Sequence, residues 1–382
     1  MTNNAWTHED HLFMAEALRL AKRGLYTTDP NPRVGCVLVR DGEVVGRGWH
    51  QETGCHHAEI YALEEAGIKA KGATAYVTLE PCSHFGRTAP CANALIDAGV
   101  LKVVAAAEDP NPKVSGSGLR LLSSSGMTVS SGLMFEQARE LNIGFFQRME
   151  KKRPWVRIKM AISVDGRTAM QSGESQWITG PQARSDVQRL RARSSAILTG
   201  IGTIEHDDAA LTVRAEQLGF HSNDIHNSEE AAKNQPLKVV LDSKGKMLPS
   251  AKILASQTRI LWVVDETAEL NEALSSIDFI EVFRLPALDR PEAILLVLQK
   301  LAEMQCNEIL VEAGATLAGA ILAAGHWDEL VLYMAPKLLG SDARALVNLP
   351  LSNMLDAKEL ILKDQRMVGD DIKLTYLPKL SN

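Results

Sequence analysis

The feature that most restricts the fold is a set of metal-type side chains lying far apart in the chain: His57, Cys82 and Cys91. Each alone would be read as a buried small residue, since cysteine is among the types most often found inside. Together they offer one imidazole and two thiolates, a donor set that suits zinc. Three protein donors leave a fourth position for water, the mark of a catalytic rather than a structural site. Zinc so bound lowers the pKa of that water to about 7. Glu59 follows the histidine by two residues, at the start of a helix read in HHAEIYALEEAG, near the metal without having to bind it. Pro81-Cys82 follows the strand ATAYVTLE, and Cys91 opens the helix CANALIDAG, where unpaired N–H groups favour thiolate. A chain that uses these residues together must bring a strand exit and two helix starts to one point. His56 is a neighbouring ligand candidate whose spacing to Glu59 fits less well.

The surrounding pattern supplies such a scaffold. Thr7 and Asp10 form an acidic capping box before an apolar-periodic helix that stops near Gly24. VGCVLVRDGEVVGRGWH reads as a β-hairpin, with two valine-rich runs about Asp41-Gly42. With VLKVVAAAEDP as a buried strand, the order β-β-α-β-α-β implies a mixed three-layer α/β domain ending near residue 150. The basic KKRP at 151–154 is the candidate boundary, so the expected domains are 1–150 and 151–382. Beyond it, WVRIKMAIS, SAILTG, LKVVLD, RILWVVD, NEILVEAG and ELVLYMAP read as strands, with helices such as PQARSDVQRLRARS between several of them. That alternation implies a largely parallel, doubly wound sheet. Residues 215–235 are polar without an apolar period and read as a surface loop.

A length of 382 residues suits two domains, and 45% hydrophobic with 23% charged residues is the balance of a soluble globular protein. Five cysteines, an odd number, point to metal binding or burial rather than a disulfide framework. No run approaches the ~18 apolar residues of a membrane span. The first residues lack the layout of a signal peptide, so a cytoplasmic location is expected. A net charge of −6 argues against a nucleic-acid partner but leaves room for a small phosphorylated ligand held by arginines.

PNPRVGCV, HAEIYAL, TLEPCSHFGRTAPC and EDPNPKVSGSG closely resemble the bifunctional deaminase–reductases of riboflavin biosynthesis. The likeness continues through MAISVDGRTAM, GESQWITG, DDAALTVR, VEAGATLAGA and APKLLGSDAR, over nearly the whole chain. Eight residues separate Cys82 from Cys91, a hallmark of that family, where base deaminases of the Cys-x-x-Cys pattern have two. The resemblance implies a cytidine-deaminase-like first domain and a dihydrofolate-reductase-like second. It implies hydrolytic deamination of 2,5-diamino-6-ribosylamino-4(3H)-pyrimidinone 5′-phosphate, then reduction of the ribosyl group to ribityl by NADPH. His57, Cys82 and Cys91 would hold Zn2+ and Glu59 would carry protons; Asn31, His50, His84 and Arg87 would face the substrate. Asp109 and Asn111 of the DPNP turn would hold the ribose phosphate, although plain turn chemistry accounts for them equally well.

In the second half, TGIGT at 199–203 and EAGAT at 312–316 each follow a strand and open a helix or turn, where glycine and free N–H groups suit a phosphate. Neither is a Gly-x-Gly-x-x-Gly. Arg184, Gln188 and Arg191 share a helical stripe that spacing alone makes a solvated basic face. The resemblance instead gives Arg191 to the substrate phosphate, and Ser175, Arg214 and Glu312 to the substrate, with Leu211 packing nearby. It gives NADPH to Ala161, Trp177, Thr203, Asp207, Ser243 and the run Gly314, Ala315, Thr316, Leu317, Ala318, Gly319, Ala320. Trp177 would equally suit a core or an interface. Asp207 is expected to be a buried carboxylate that orients the nicotinamide amide or the reacting imine. Ala209 stands where the family usually has proline, which loosens that loop, and Ala89 does the same near Cys91. The alternative is a zinc deaminase of another nucleotide or an RNA base, with a second domain that senses NADPH without turnover. Assembly into a homo-oligomer is left open.

Overall fold

A computed structural model describes residues 6–83, 90–112, 114–221 and 224–379. The chain divides into two compact units, Met1–Lys152 and Arg153–Asn382. The first contains α1 (His8–Lys22), β1 (Gly35–Arg40), β2 (Glu43–Trp49), α2 (Ala58–Ala66), β3 (Thr74–Val77), α3 (Cys91–Asp97), β4 (Lys102–Ala105), α4 (Ser117–Ser124), β5 (Thr128–Ser131), α5 (Phe135–Leu141) and α6 (Ile143–Lys151). Thr7 and Asp10 cap α1 reciprocally, as their spacing predicts. Asp41 and Gly42 both take positive φ, 53° and 80°, so the β1–β2 turn follows the twist of its strands.

The five strands lie in the order β2-β1-β3-β4-β5, antiparallel from β2 to β3 and parallel from β3 to β5. Strand periodicity divides the core. Cys36, Leu38, Ala75 and Val77 pack against Ala58, Ala62, Leu95 and Leu122 of α2, α3 and α4. Val37, Val39 and Tyr76 face the opposite layer, with Met14 and Ala17 of α1 and Phe145 and Phe146 of α6. The helix α2 lies directly on the β2 backbone: a Cβ at Gly48 would stand 2.0 Å from the Ala58 carbonyl, and one at Gly46 2.1 Å from that of Ala62. Those two glycines bring the start of α2 against the sheet. The sequence reading stopped at four strands and missed α4 and β5, and it ran the third strand on to Pro81, whereas β3 ends at Val77.

The second unit contains β6 (Trp155–Ser163), β7 (Arg167–Ala169), α7 (Pro181–Arg193), β8 (Ala196–Gly200), α8 (Ile201–Asp207), α9 (Ser228–Lys233), β9 (Leu237–Leu241), β10 (Ile260–Asp265), α10 (Glu272–Ser275), β11 (Ile280–Leu285), α11 (Arg290–Glu303), β12 (Glu308–Val311), α12 (Ala315–Ala324), β13 (Glu329–Ala335), β14 (Arg344–Ala345), β15 (Leu360–Val368) and β16 (Asp371–Pro378). Nine strands run β11-β10-β9-β8-β12-β6-β13-β16-β15, parallel from β11 to β13, with the β15–β16 hairpin antiparallel at one edge. Along β6, Val156, Ile158, Met160 and Ile162 join the α11–α12 core, so Arg157, Lys159 and Ala161 point to the other face, toward α7. The sheet is covered on both sides, which is why its strands read as near-continuous apolar runs. The polar stretch expected to be a loop holds α9, whose start is capped by the Asn227 side chain. Among the described residues, no helix is long and apolar enough to cross a membrane.

Candidate active sites

The metal-type residues of the first unit converge. His57 is the N-cap of α2, and its side chain makes no cap hydrogen bond, so the imidazole is turned elsewhere. Its Nδ1 lies 3.2 Å from Cys91 Sγ and 3.6 Å from Cys82 Sγ. The three ligand atoms lie within 4.8 Å of one another. Tetrahedral zinc with bonds of about 2.0 Å to nitrogen and about 2.3 Å to sulfur sets N···S edges of about 3.5 Å. The residues therefore fit that ion. The Cys91 amide, first in α3, donates to Cys82 Sγ at 3.3 Å, the helix-start support that the sequence implied. A hydrogen bond from the Cys91 thiol, and then one from His57, hold Cys82 far below the ordinary thiol range, at about 4, against the effect of burial. Cys91 moves the opposite way, pushed up by its hydrogen bond to Cys82 and by burial.

Glu59, in the first turn of α2, is only 3% exposed. Burial pushes its carboxyl up to about 7, with His57 opposing and Cys82 reinforcing the shift. Beside it, His50 is buried, and its ring meets that of His57 edge-on at 5.5 Å. Its Nδ1 lies 3.0 Å from the His56 carbonyl and its Nε2 3.2 Å from Asn31 Nδ2. One tautomer satisfies both contacts, with Nδ1 donating and Nε2 accepting, which fixes the Asn31 amide. Burial first, then the neighbouring His57, hold His50 below the ordinary imidazole value despite the His56 carbonyl, favouring the neutral ring. His56 is not among the converging ligands; its ring packs on Tyr61. In the DPNP turn, the Asp109 carboxylate accepts from the Asn111 amide at 2.8 Å, so that side chain serves the turn itself. His84, Arg87 and Ala89 fall outside the described residues.

In the second unit, Ala161, Thr203, Ser243, Glu312 and Gly314 lie at or just past the carboxyl ends of β6, β8, β9 and β12, where ligands of open α/β sheets sit. The starts of α8 and α12 adjoin: a Cβ at Gly200 would lie 3.4 Å from Leu317, and one at Gly314 would meet nothing within 4 Å. Two helix N-termini beside open space suit a dinucleotide phosphate. Not all of the 314–320 run faces that space. Ala318 is fully buried in the core, and Gly319 packs on the Asn348 backbone, 2.1 Å from where a Cβ would be. The helical period turns them inward.

The resemblance makes Arg191 and Glu312 separate substrate contacts. They form a bidentate pair, with Nε to Oε1 at 2.5 Å and Nη2 to Oε2 at 3.0 Å, while Nη1 donates to the Thr212 carbonyl. Burial pushes the Glu312 carboxyl up, but Arg191 and then Lys159 outweigh it and hold it below the usual range. The stripe is thus no solvated face: Gln188 is buried too, and Arg184 stacks over the Trp177 ring at 4.7 Å. Trp177 is 64% exposed, so it is not a core residue. The expectation of a buried Asp207 fails: it is exposed in the last turn of α8. Beyond it, Asp208 accepts from the Lys252 amide, and Ala209 packs at the edge of the core. Leu211 is buried with φ of 51°, a left-handed conformation costing roughly 1–2 kcal/mol, a strain often seen at functional loops. Thr203 and Ser175 are half-buried, and Ser243 and Arg214 exposed. The sequence reading missed Lys159, signalled by a lysine in an apolar strand, and Glu80, hidden inside TLEPC.

The comparisons agree with this architecture. Residues 7–107 match the cytidine and deoxycytidylate deaminase zinc-binding region, and residues 154–374 match the RibD C-terminal domain. The riboflavin biosynthesis protein RibD of Escherichia coli (strain K12) is 49% identical over 369 residues, spanning 96% of this chain and 98% of that protein. The chain belongs to the RibD family. The Haemophilus influenzae member is 47% identical, over 98% of this chain and 99% of its own. Among solved structures, Acinetobacter baumannii RibD superposes with a TM-score of 0.89 at 44% identity, covering 97% of this chain and 99% of that one. A Thermotoga maritima diaminohydroxyphosphoribosylaminopyrimidine deaminase/5-amino-6-(5-phosphoribosylamino)uracil reductase gives 0.83 at 30% identity with the same coverage.

Proposed function

We propose that this chain carries out two consecutive steps of riboflavin synthesis: hydrolytic deamination of the diaminopyrimidine ribosylamine 5′-phosphate by residues 1–150, and NADPH reduction of the ribosyl group to ribityl by residues 151–382. The observation that carries the first step is a buried carboxyl, Glu59, two residues from the histidine of a converging His/Cys/Cys set that suits zinc. His57, Cys82 and Cys91 would hold the ion, which when bound activates water at neutral pH. Glu59, tuned close to neutrality, takes a proton from the attacking water and returns protons to the ring nitrogen and the departing ammonia. Neutral His50 fixes Asn31, whose amide oxygen would accept from a pyrimidine N–H.

For the second step, NADPH supplies the hydride, and the chain supplies position and charge. The starts of α8 and α12 suit its phosphates, and the Arg191–Glu312 pair with Lys159 presents a mixed-charge wall to the substrate. Asp207 is exposed, which supports a reading in which this half-reaction rests on positioning of hydride donor and acceptor. We place the protein in the cytoplasm, with a small phosphorylated pyrimidine and not nucleic acid as its partner; sedimentation would report its oligomeric state. The experiment is to incubate the purified protein with the diaminopyrimidine substrate and NADPH and follow ammonia and NADPH together. Glu59→Gln should abolish ammonia release while zinc stays bound and the reductase stays active. Ammonia release without NADPH oxidation would favour the NADPH-sensing alternative.

A further inference from the structure

The strand exit that leads to Cys82 carries a carboxylate with an unusual set of partners. Glu80, 4% exposed, accepts four backbone N–H bonds from a segment far along the chain. Its Oε2 takes the amides of Asp109 at 3.0 Å and Gly116 at 2.8 Å, and its Oε1 those of Gly118 at 2.8 Å and Leu119 at 3.3 Å. Capping α4 accounts for the last three. It does not account for Asp109, which lies outside that helix, in the DPNP turn. The approach is tight: a Cβ at Gly118 would stand 2.0 Å from the Pro81 carbonyl, so only glycine lets the segment reach the strand exit. Ser83, one residue past the ligand, adds a contact to Ser117 at 2.7 Å.

We propose that Glu80 is the positioning residue of the deaminase site, setting the distance between the metal centre and the turn that receives the ribose phosphate. The proposal rests on the deaminase reading above. Asp109 links the two halves of the device: its amide goes to Glu80, and its carboxylate goes to the Asn111 amide. Residues 109–111 therefore take their place from the same carboxylate that is covalently two residues from Cys82. A phosphorylated pyrimidine with its ring at the metal would find its phosphate subsite at a fixed reach. Loosening the clamp would leave the metal chemistry intact and spoil that reach.

Glu80→Gln presents an amide NH2 where one oxygen accepted two N–H groups, so about half the clamp is lost. In zinc-loaded Glu80→Gln holoenzyme, deaminase KM should rise at least about tenfold with kcat within about threefold, zinc per chain unchanged, and the reductase kinetics those of the parent. Unchanged KM in that protein overturns the proposal, even if its melting temperature falls, because a purely structural cap would lower stability alone. A parent protein that binds zinc but releases no ammonia overturns the deaminase reading instead, and this proposal with it. Should the variant fail to fold, hydrogen exchange on the parent holoenzyme decides. Adding 5-amino-6-(5-phosphoribosylamino)uracil should slow exchange at the amides of Asp109, Gly116, Gly118 and Leu119, and unaltered exchange there refutes the coupling.

Discussion

Replacing Arg157 by methionine tests the charge network inside the second unit. Arg157 projects from β6 between two carboxylates, with Nη1 to Glu308 at 3.1 Å and Nε to Glu329 at 2.6 Å. The three side chains are 4%, 0% and 11% exposed. In Arg157→Met, Glu308 keeps Arg193 at 2.9 Å, whereas Glu329 keeps the Trp155 Nε1 donor at 3.2 Å and the more distant charges of Arg193 and Lys363. Breaking a buried pair costs about 3–5 kcal/mol, and the surviving Arg193 contact places this case near the lower end. That corresponds to a fall in melting temperature of roughly 6–12 °C for a unit of this size. The pH dependence carries a sign. In the parent, burial raises the Glu329 pKa but Arg157 and then Arg193 outweigh it, so the folded value lies below the unfolded one. That stabilisation is present above the unfolded pKa and lost as pH falls through the folded one. Without Arg157, burial dominates and the folded value rises above the unfolded one. The deficit of the variant against the parent should therefore shrink between pH 7 and pH 5. Urea unfolding followed by tryptophan fluorescence suits the measurement, since Trp155, Trp177, Trp262 and Trp327 all belong to this unit. A loss below about 1 kcal/mol at pH 7, or a deficit that grows on acidification, would refute the reasoning.

Further outcomes follow from the same structure. Gly48→Ala should drive α2 off the β2 backbone, displacing His57 and Glu59, so zinc content and ammonia release should fall together, the latter at least tenfold, while NADPH oxidation persists. Lys238, fully buried and held by the Ile253 carbonyl and the Ser256 hydroxyl, has its pKa lowered to about 8, by burial first and Arg191 second. The unfolded chain then binds the proton more tightly between about pH 8 and 10.5, so this residue makes stability rise with pH across that window, by about 3 kcal/mol at most. Lys238→Met should flatten that rise in denaturant titrations, and parallel curves for the two proteins would count against it. Stripping zinc with a chelator should stop ammonia release and leave NADPH oxidation with the deaminated substrate unchanged, as separate assays on one sample would reveal.

The residues legible from sequence were those whose chemistry is scarce or whose turns are stereotyped. His57, Cys82 and Cys91 stood out as donors, and Asp41-Gly42 marked its hairpin because few residues tolerate two positive φ values. The parallel sheet was readable because strands covered on both faces become apolar runs. What escaped depended on distant partners. The α7 stripe looked solvated because its neutralising carboxylate, Glu312, lies 121 positions from Arg191. TVSS at β5 has too little apolar content to advertise a four-residue edge strand, and α9 is held at its start by one asparagine inside a polar tract. A carboxylate that orients a nicotinamide or an imine calls for a dry site, yet the chain turns Asp207 outward at the end of a short helix. Glu80 looked like one more acidic residue, since backbone amides leave no trace in a sequence.

The near-complete enclosure of Glu59 has a consequence for proton traffic. A carboxyl screened from bulk solvent exchanges its hydrogen with the surroundings through the substrate pocket or not at all. In the proposed reaction, the proton drawn from water is then the one handed on within the same turnover, and the enzyme returns to its starting charge without help from outside. Buffer acids cannot reach that relay, so the deamination rate should be indifferent to buffer concentration at constant pH and ionic strength.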